Sequence, residues 1–309
     1  MDFVENENFV SIKLSDFCRD CNLELINGEE SDEVTIGSIL VNRPGLLLAG
    51  FEDYFGNSRI QLIGNAEHFY LMSLSQQEAA KAAERVFSQH IPCVIYSRDI
   101  KPLPIEIEMA KKYKIPVMGS ISNTTALNTQ VANYLEELLA PMTTIHGTLM
   151  DVNGIGVLIT GESGMGKSEA AIELIQRGHR LVTDDITIVK RIGNELIGSS
   201  PEKTKFLLEI RGLGIIDVSQ MYGAGSVLLK EGIMMIIKLE KSNGEVIFDR
   251  LGNSMKKQEI LGIEVPYVTV PVTAGRNMST LIEVAARNFR LKNMGFDALE
   301  VLKQRAKID

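Results

Sequence analysis

The sequence predicts an α/β protein of two domains, and three observations carry that expectation. At roughly 100–200 residues per domain, a chain of 309 residues favours two. Its first part alternates short apolar runs with helix-patterned stretches, the signature of a parallel sheet with helical crossovers. Further on, "GESGMGKS" (161–168) follows an apolar strand and opens a helix, the setting of a phosphate-binding loop. The boundary is expected near residue 130, giving an amino-terminal α/β domain over 1–130 and a carboxy-terminal phosphate-loop domain over 131–309.

In chain order, "RIQLIG" (59–64), "PCVIYS" (92–97) and "IPVMGS" (115–120) read as buried strands. "QQEAAKAAERVF" (76–87) and "PIEIEMAKKYK" (104–114), rich in Ala, Glu and Lys, read as the helices between them. No phosphate loop or convergent polar cluster stands out here, so the role of this domain is not legible from its residues. "NTTALNTQVANYLEELLA" (123–140) reads as a helix with Thr or Asn to cap it, and Pro141 ends it. "TTIHGTLMDVNGIGVLITGES" then reads as two strands around an Asn153-Gly154 hairpin turn. Further strands are expected in "HRLVTDDITIVKRIG", "NELIGSS", "GIMMIIKLE" and "VPYVTVPV". The carboxy-terminal part reads as helical: Thr280 and Glu283 suggest a capping box before "LIEVAARNFRLKNMG", and "FDALEVLKQRAK" follows.

Composition narrows the classes of function. The chain is 45% hydrophobic and 23% charged, with a net charge of −8. That is ordinary for a globular protein and lacks the basic footprint of a nucleic-acid binder. "MDFVENENFV" lacks the order of a signal peptide, and no apolar run approaches the ~20 residues that span a bilayer. A soluble cytoplasmic protein is expected. Cys18 and Cys21 form a lone C-x-x-C and Cys93 stands apart; with no second ligand pair, reduced structural cysteines are expected.

The chemistry is concentrated in the second half. Gly161, Gly166, Lys167 and Ser168 satisfy G-x-x-x-x-G-K-[ST]. In such a loop glycines let backbone N–H groups ring the phosphates, the Lys cation reaches the outer ones, and the Ser hydroxyl binds Mg2+. Between these positions lie Glu162, Ser163, Gly164 and Met165. Asp184 and Asp185 close the next strand. Of two such carboxylates one can hold Mg2+ while the other takes a proton from an attacking hydroxyl. They follow Lys167 too closely for a typical GTPase or AAA-type ATPase, and no N-K-x-D guanine-reading motif is present. A proton acceptor beside the metal suits transfer to an alcohol better than hydrolysis. Glu209 can be a second Mg2+ ligand, and Arg250 of "FDRL" can stabilise charge on a moving phosphoryl group. "PVTAGRN" (271–277) suggests an anion nest before a helix. On its residues alone, His146 reads as a satisfied core histidine.

"GESGMGKSEAAIELIQRGHRLVTDD" (161–185), "LEIRGLGIIDV" (208–218) and "PVTAGRN" (271–277), in this order, resemble the bacterial HPr kinase/phosphorylase family, and the resemblance runs the whole length. It implies a phosphate-loop kinase domain similar to phosphoenolpyruvate carboxykinase and a bifunctional enzyme. ATP or pyrophosphate would phosphorylate a serine of the phosphocarrier protein HPr, and inorganic phosphate would remove that phosphate as pyrophosphate. The resemblance also implies roles in carbon catabolite repression, a homohexamer, contact with HPr through helices near the chain end, and fructose 1,6-bisphosphate as an effector.

For residues, the resemblance implies that Gly161 to Ser168 bind the donor phosphates, with Ser168 and Glu209 on Mg2+. His146, Lys167, Asp185 and Arg250 would be catalytic, Asp185 as base in one direction and acid in the other, supported by Asp184. Leu208, Glu209, Ile210, Arg211, Gly212, Leu213, Gly214, Ile215, Ile216 and Asp217 would serve both reactions. Pro271, Val272, Thr273, Ala274, Gly275 and Arg276 would serve chiefly dephosphorylation. Two other readings compete: a small-molecule kinase of the carboxykinase-like group, with a compact substrate pocket, and a nucleotide-sensing regulator without transfer activity. The intact Lys, Ser and Asp set argues against the regulator.

Overall fold

The computed structural model describes residues 9–241, 256–273 and 276–306. Two compact units emerge, Met1–Ala140 and Pro141–Asp309. The division therefore falls after the helix in which the sequence predicts it, near residue 130. That helix stays whole because its buried stripe, Leu127, Val131, Leu135 and Leu139, packs with Phe17, Leu62 and Ile95 in the core of the first unit.

The first unit runs β1 (Val10–Lys13), α1 (Leu14–Asp20), β2 (Glu24–Asn27), β3 (Glu33–Ile36), β4 (Val41–Asn42), α2 (Gly45–Leu48), β5 (Ile60–Ile63), α3 (Asn65–Ser73), α4 (Gln76–Phe87), β6 (Val94–Tyr96), α5 (Pro104–Tyr113), β7 (Val117–Gly119) and α6 (Thr124–Leu139). Five strands form a sheet in the order β2-β7-β6-β5-β4, parallel from β4 to β7 with β2 antiparallel at the edge. Alternate residues of β6 enter opposite cores: Ile95 faces α6, while Val94 and Tyr96 face α4 and α5. Both faces are thus covered, which is why these strands read as unbroken apolar runs. Ser75 caps α4 in a capping box with Glu78, and Pro104 opens α5 where its missing N–H costs nothing. The cysteines are free, and burial pushes the Cys21 thiol up to about 12, so it stays protonated and unreactive.

The second unit continues with β8 (Met142–His146), β9 (Thr148–Val152), β10 (Ile155–Gly161), α7 (Lys167–Gln176), β11 (Arg180–Thr183), β12 (Ile186–Ile192), β13 (Glu195–Ser199), β14 (Leu207–Ile210), β15 (Gly214–Asp217), α8 (Val218–Tyr222), β16 (Lys230–Gly232), β17 (Met235–Lys241), β18 (Lys256–Ile260), β19 (Ile263–Val272), α9 (Met278–Asn293) and α10 (Ala298–Ala306). A mixed six-stranded sheet, β11-β9-β10-β17-β19-β18, has β10, β17 and β19 parallel at its centre. An antiparallel four-stranded sheet, β16-β13-β12-β8, and the β14–β15 hairpin complete the unit.

Asn153 and Gly154 take φ of 58° and 78°, the left-handed pair a two-residue hairpin turn demands. The stretch before that turn is two strands rather than the one predicted. Gly147 passes the chain from the four-stranded sheet to the six-stranded one, where a Cβ would lie 2.8 Å from the Ile159 carbonyl oxygen. At α9 the predicted capping box is replaced by Asn277, whose side chain accepts from the Thr280 N–H. Glu283 instead bonds Arg177 and Arg287. Among the described residues, no helix is long and apolar enough to cross a membrane.

Candidate functional site

The central parallel strands fix the position of the phosphate loop. Gly161 ends β10 beside Leu239 of β17, and Leu239 lies beside Val270 of β19. The loop and the segment that follows β19 therefore leave the same edge of the sheet, at the carboxyl ends of its parallel strands, where α/β proteins place their ligands. Met165 is buried in the core and anchors the loop from below. Gly164 and Gly166 take positive φ, the left-handed backbone from which anion-binding nests of N–H groups are built. The Lys167 ammonium folds back onto the loop, donating to the carbonyls of Gly161 at 2.9 Å and Glu162 at 3.2 Å. Glu162 pairs with Lys241 at 3.5 Å, and Ser163 accepts from Arg211 at 3.1 Å.

Beside the loop lies a polar hollow of about 250 Å3, lined among others by Gly166, Lys167, Ser168, Asp184, Asp185, Glu209 and Arg211. That is below the ~300–1,000 Å3 of a drug-sized pocket, so the hollow suits phosphate groups rather than a whole nucleotide. Glu169 also lines it. No motif position marks Glu169; its only signal is a carboxylate in the first turn after the loop.

The two aspartates, interchangeable in sequence, are distinct in space. Asp184 is 8% exposed. One of its oxygens accepts from Ser168 at 2.9 Å and the other from Thr148 at 2.6 Å. Asp185 takes a left-handed φ of 63°, which swings its side chain out of the strand line to 78% exposure. Its carboxylate lies 4.0 Å from His146 Nδ1, and its carbonyl accepts from the Gly147 N–H at 2.8 Å. His146 is not a core histidine: its side chain is 84% exposed at the end of β8, opposite Ile186 of β12. The two-residue alternation along β8 points it away from the interior.

The segment 208–217 divides its labour. In the β14–β15 hairpin Leu208 is buried, and Ile210 and Ile216 pack on the same core. Glu209 and Arg211 reach the hollow. Gly212 and Gly214 shape the turn, and Leu213 and Ile215 stay exposed. Asp217 does not line the hollow. It caps α8, accepting from the Gln220 N–H at 3.0 Å and the Ser219 hydroxyl at 2.8 Å, and these bonds hold its carboxyl below the usual range. Pro271 and Val272 end β19, and Thr273 accepts from the Arg276 N–H at 3.2 Å. Arg276 is not among the residues lining the hollow. Arg250, Ala274 and Gly275 lie outside the described residues.

The donors of the hollow are hard oxygens: the Ser168 hydroxyl and the carboxylates of Asp184, Asp185 and Glu209. This set fits Mg2+, which takes one or two carboxylates and fills its remaining positions with phosphate oxygens and water. Among the described residues no three His, Cys, Asp or Glu side chains converge as a ready-made cage, and a cation here would complete its shell with phosphate oxygens and water.

Two family profiles match the chain: the HPr Serine kinase N terminus over residues 12–135 and the HPr Serine kinase C-terminal domain over residues 136–306. An HPr kinase/phosphorylase from Alkaliphilus metalliredigens is 45% identical over 296 residues, 96% of each chain. One from Geobacillus thermodenitrificans is 43% identical over 95% of this chain and 96% of its own. A solved structure of the Hpr(Ser) kinase/phosphatase from Coxiella burnetii is 39% identical, covering 49% of this chain and 99% of its own, with a TM-score of 0.46.

Proposed function

The chain belongs to the HPr kinase/phosphorylase family, and from that premise we propose how its site works as a bifunctional protein-serine kinase and phosphorylase of HPr. One observation carries the proposal: a buried aspartate tied to the loop serine stands next to an exposed aspartate facing solvent above the same hollow. The buried member orients the loop, and only the exposed member can meet a hydroxyl carried in by another protein.

In the kinase direction, the loop N–H groups and Lys167 hold the donor phosphates of ATP or pyrophosphate. Asp185 accepts the proton of the acceptor serine as its oxygen forms a bond to the outer phosphorus, and the bond to the donor's bridging oxygen breaks. Lys167 exchanges its two carbonyl partners for phosphate oxygens, which brings its charge onto the transferring group. His146, with its Nδ1 4.0 Å from the Asp185 carboxylate, stands beside the group that exchanges the proton. Arg250 would add a second cation. In the phosphorylase direction, inorganic phosphate occupies the cradle and attacks phosphoserine. The phosphorus–serine bond breaks, protonated Asp185 returns its proton to the serine oxygen, and pyrophosphate leaves. Bound Mg2+ would supply charge neutralisation on the phosphates, with Ser168, Glu209 and Asp184 placed to hold or orient it.

A homohexamer, cytoplasmic residence, and kinase stimulation by fructose 1,6-bisphosphate belong to the same reading, supported by the family resemblance. The decisive experiment incubates the chain with HPr and γ-labelled ATP, then adds inorganic phosphate. Label on a serine of HPr, followed by its release as pyrophosphate, is expected. Label that never reaches HPr, or that leaves as orthophosphate, would overturn the reading.

A further inference from the structure

We propose that Thr148, which no motif marks, is a positioning residue for the phosphate site, its buried hydroxyl setting the orientation of the Asp184 carboxylate and through it the Ser168 side chain. The inference rests on the phosphate-site reading above.

Thr148 opens β9 and is fully buried. A threonine on a strand ordinarily needs no explanation beyond β propensity. This one donates its hydroxyl proton to Asp184 Oδ1 at 2.6 Å, within the short range of a charge-assisted O–H···O bond. The second carboxylate oxygen, Oδ2, accepts the Ser168 hydroxyl proton at 2.9 Å. A single carboxylate is thus pinned from two sides, by β9 and by the first turn of α7. With its proton committed to Asp184, the Ser168 oxygen keeps its lone pairs for a cation in the hollow. Without Thr148, the carboxylate could rotate about its last bond, and the Ser168 hydroxyl would lose its fixed direction.

The anchor is itself held firmly. Thr148 sits opposite Ile159 in the β9–β10 ladder, next to the strand that ends in the loop. Just before it, Gly147 donates its N–H to the Asp185 carbonyl at 2.8 Å, and its carbonyl accepts the Thr187 hydroxyl at 2.9 Å. Thr187 is fully buried as well. The jog between the two sheets therefore fixes both aspartates, one through its side chain and one through its backbone.

The test compares Thr148→Val, which keeps the shape and removes the proton, with Thr148→Ser, which keeps the proton. Mn2+ is titrated by electron paramagnetic resonance into the full chain with a non-hydrolysable ATP analogue. Outer-shell partners of a metal site are typically worth about 10- to 100-fold in affinity, so Thr148→Val should bind Mn2+ about tenfold more weakly at least. Thr148→Ser should stay within about twofold of the parent. In parallel, the Mg2+ concentration for half-maximal HPr phosphorylation should rise in Thr148→Val while kcat at saturating Mg2+ changes by less than about threefold.

Parent-like Mn2+ binding by Thr148→Val, or equal weakening by Thr148→Ser, would show a merely structural threonine. Failure of the parent chain itself to bind Mn2+ with the analogue would bring down the phosphate-site reading and this inference together. Should Thr148→Val not fold, Thr148→Cys, whose thiol is a weak donor, takes its place with the same expected ordering.

Discussion

Asp184 and Asp185 are neighbours in the chain yet differ about as much as two carboxylates can, one 8% exposed between two hydroxyls and the other swung into solvent by a left-handed φ. Neutralising each should therefore fail differently. Asp185→Asn should leave nucleotide binding near the parent value while slowing transfer in both directions by about 10²-fold or more, the scale of a lost general acid–base group. Asp184→Asn should instead weaken metal-dependent nucleotide binding, measured by calorimetry with and without Mg2+. Equal binding defects in both variants would contradict the division of roles. Lys167→Ala should abolish both reactions in the same assays, because the ammonium lies on the loop at the site of donor charge. The loop residues were legible because phosphate geometry dictates their spacing, and Asp184 and Asp185 because paired acids ending an apolar strand demand a reason. Their separation was not legible, since it depends on a single backbone angle and on Thr148, a residue remote in sequence. His146 was misread from its residues because an apolar run does not reveal which face of a strand meets water.

At the scale of elements, the site is assembled by a jog and a clamp. The jog is Gly147, where β8 gives way to β9 and the chain changes sheets. Gly147→Ala would set a Cβ 2.8 Å from a backbone oxygen that cannot move without shifting β10. The expected cost is about 1–3 kcal/mol, read as a lower thermal midpoint, with transfer slowed beyond what the lost stability explains. A parent-like midpoint and rate would mean that the jog tolerates a side chain. The clamp is Glu173 on α7, which accepts from Asn277 at 2.7 Å and from Ser279 at 2.6 Å at the start of α9. It ties the helix that begins at the phosphate loop to the end of the 271–276 segment. β19 ends at the same sheet edge as the loop, and we propose that Arg276, which follows it and lies outside the lining of the hollow, meets an incoming anion. Arg276→Ala should then reduce dephosphorylation more than phosphorylation in paired assays, and equal losses would count against the assignment. The Asn153-Gly154 turn was legible because few residue pairs accept two positive φ values. The extra strand boundary at Gly147 was hidden, since tertiary packing alone makes the glycine necessary.

For the molecule as a whole, the two units have separate cores, one pair of apolar clusters in Met1–Ala140 and another in Pro141–Asp309. Calorimetry of the full chain should therefore resolve two unfolding transitions, with Gly147→Ala shifting only that of the second unit. Acid should separate them further. His179, 6% exposed in the second unit, is held below its ordinary 6.5 by burial, against which Glu283 at 3.7 Å is the lesser influence. Below about pH 6.5 the unfolded chain gains a proton that the folded one resists, so stability falls with acidification. In the first unit Glu106 runs the other way. Burial raises its carboxyl above the ordinary 4.5, outweighing the hydrogen bond from Tyr96, so the folded state takes up its proton first and gains stability as pH falls toward that range. Between about pH 7.5 and about pH 5.5, before most carboxylates titrate, the second transition should move down while the first holds or rises. His179→Asn should flatten the slope of the second transition. If that slope is unchanged in the variant, or if both transitions fall together, the histidine does not set the acid response and the two units do not melt as independent bodies.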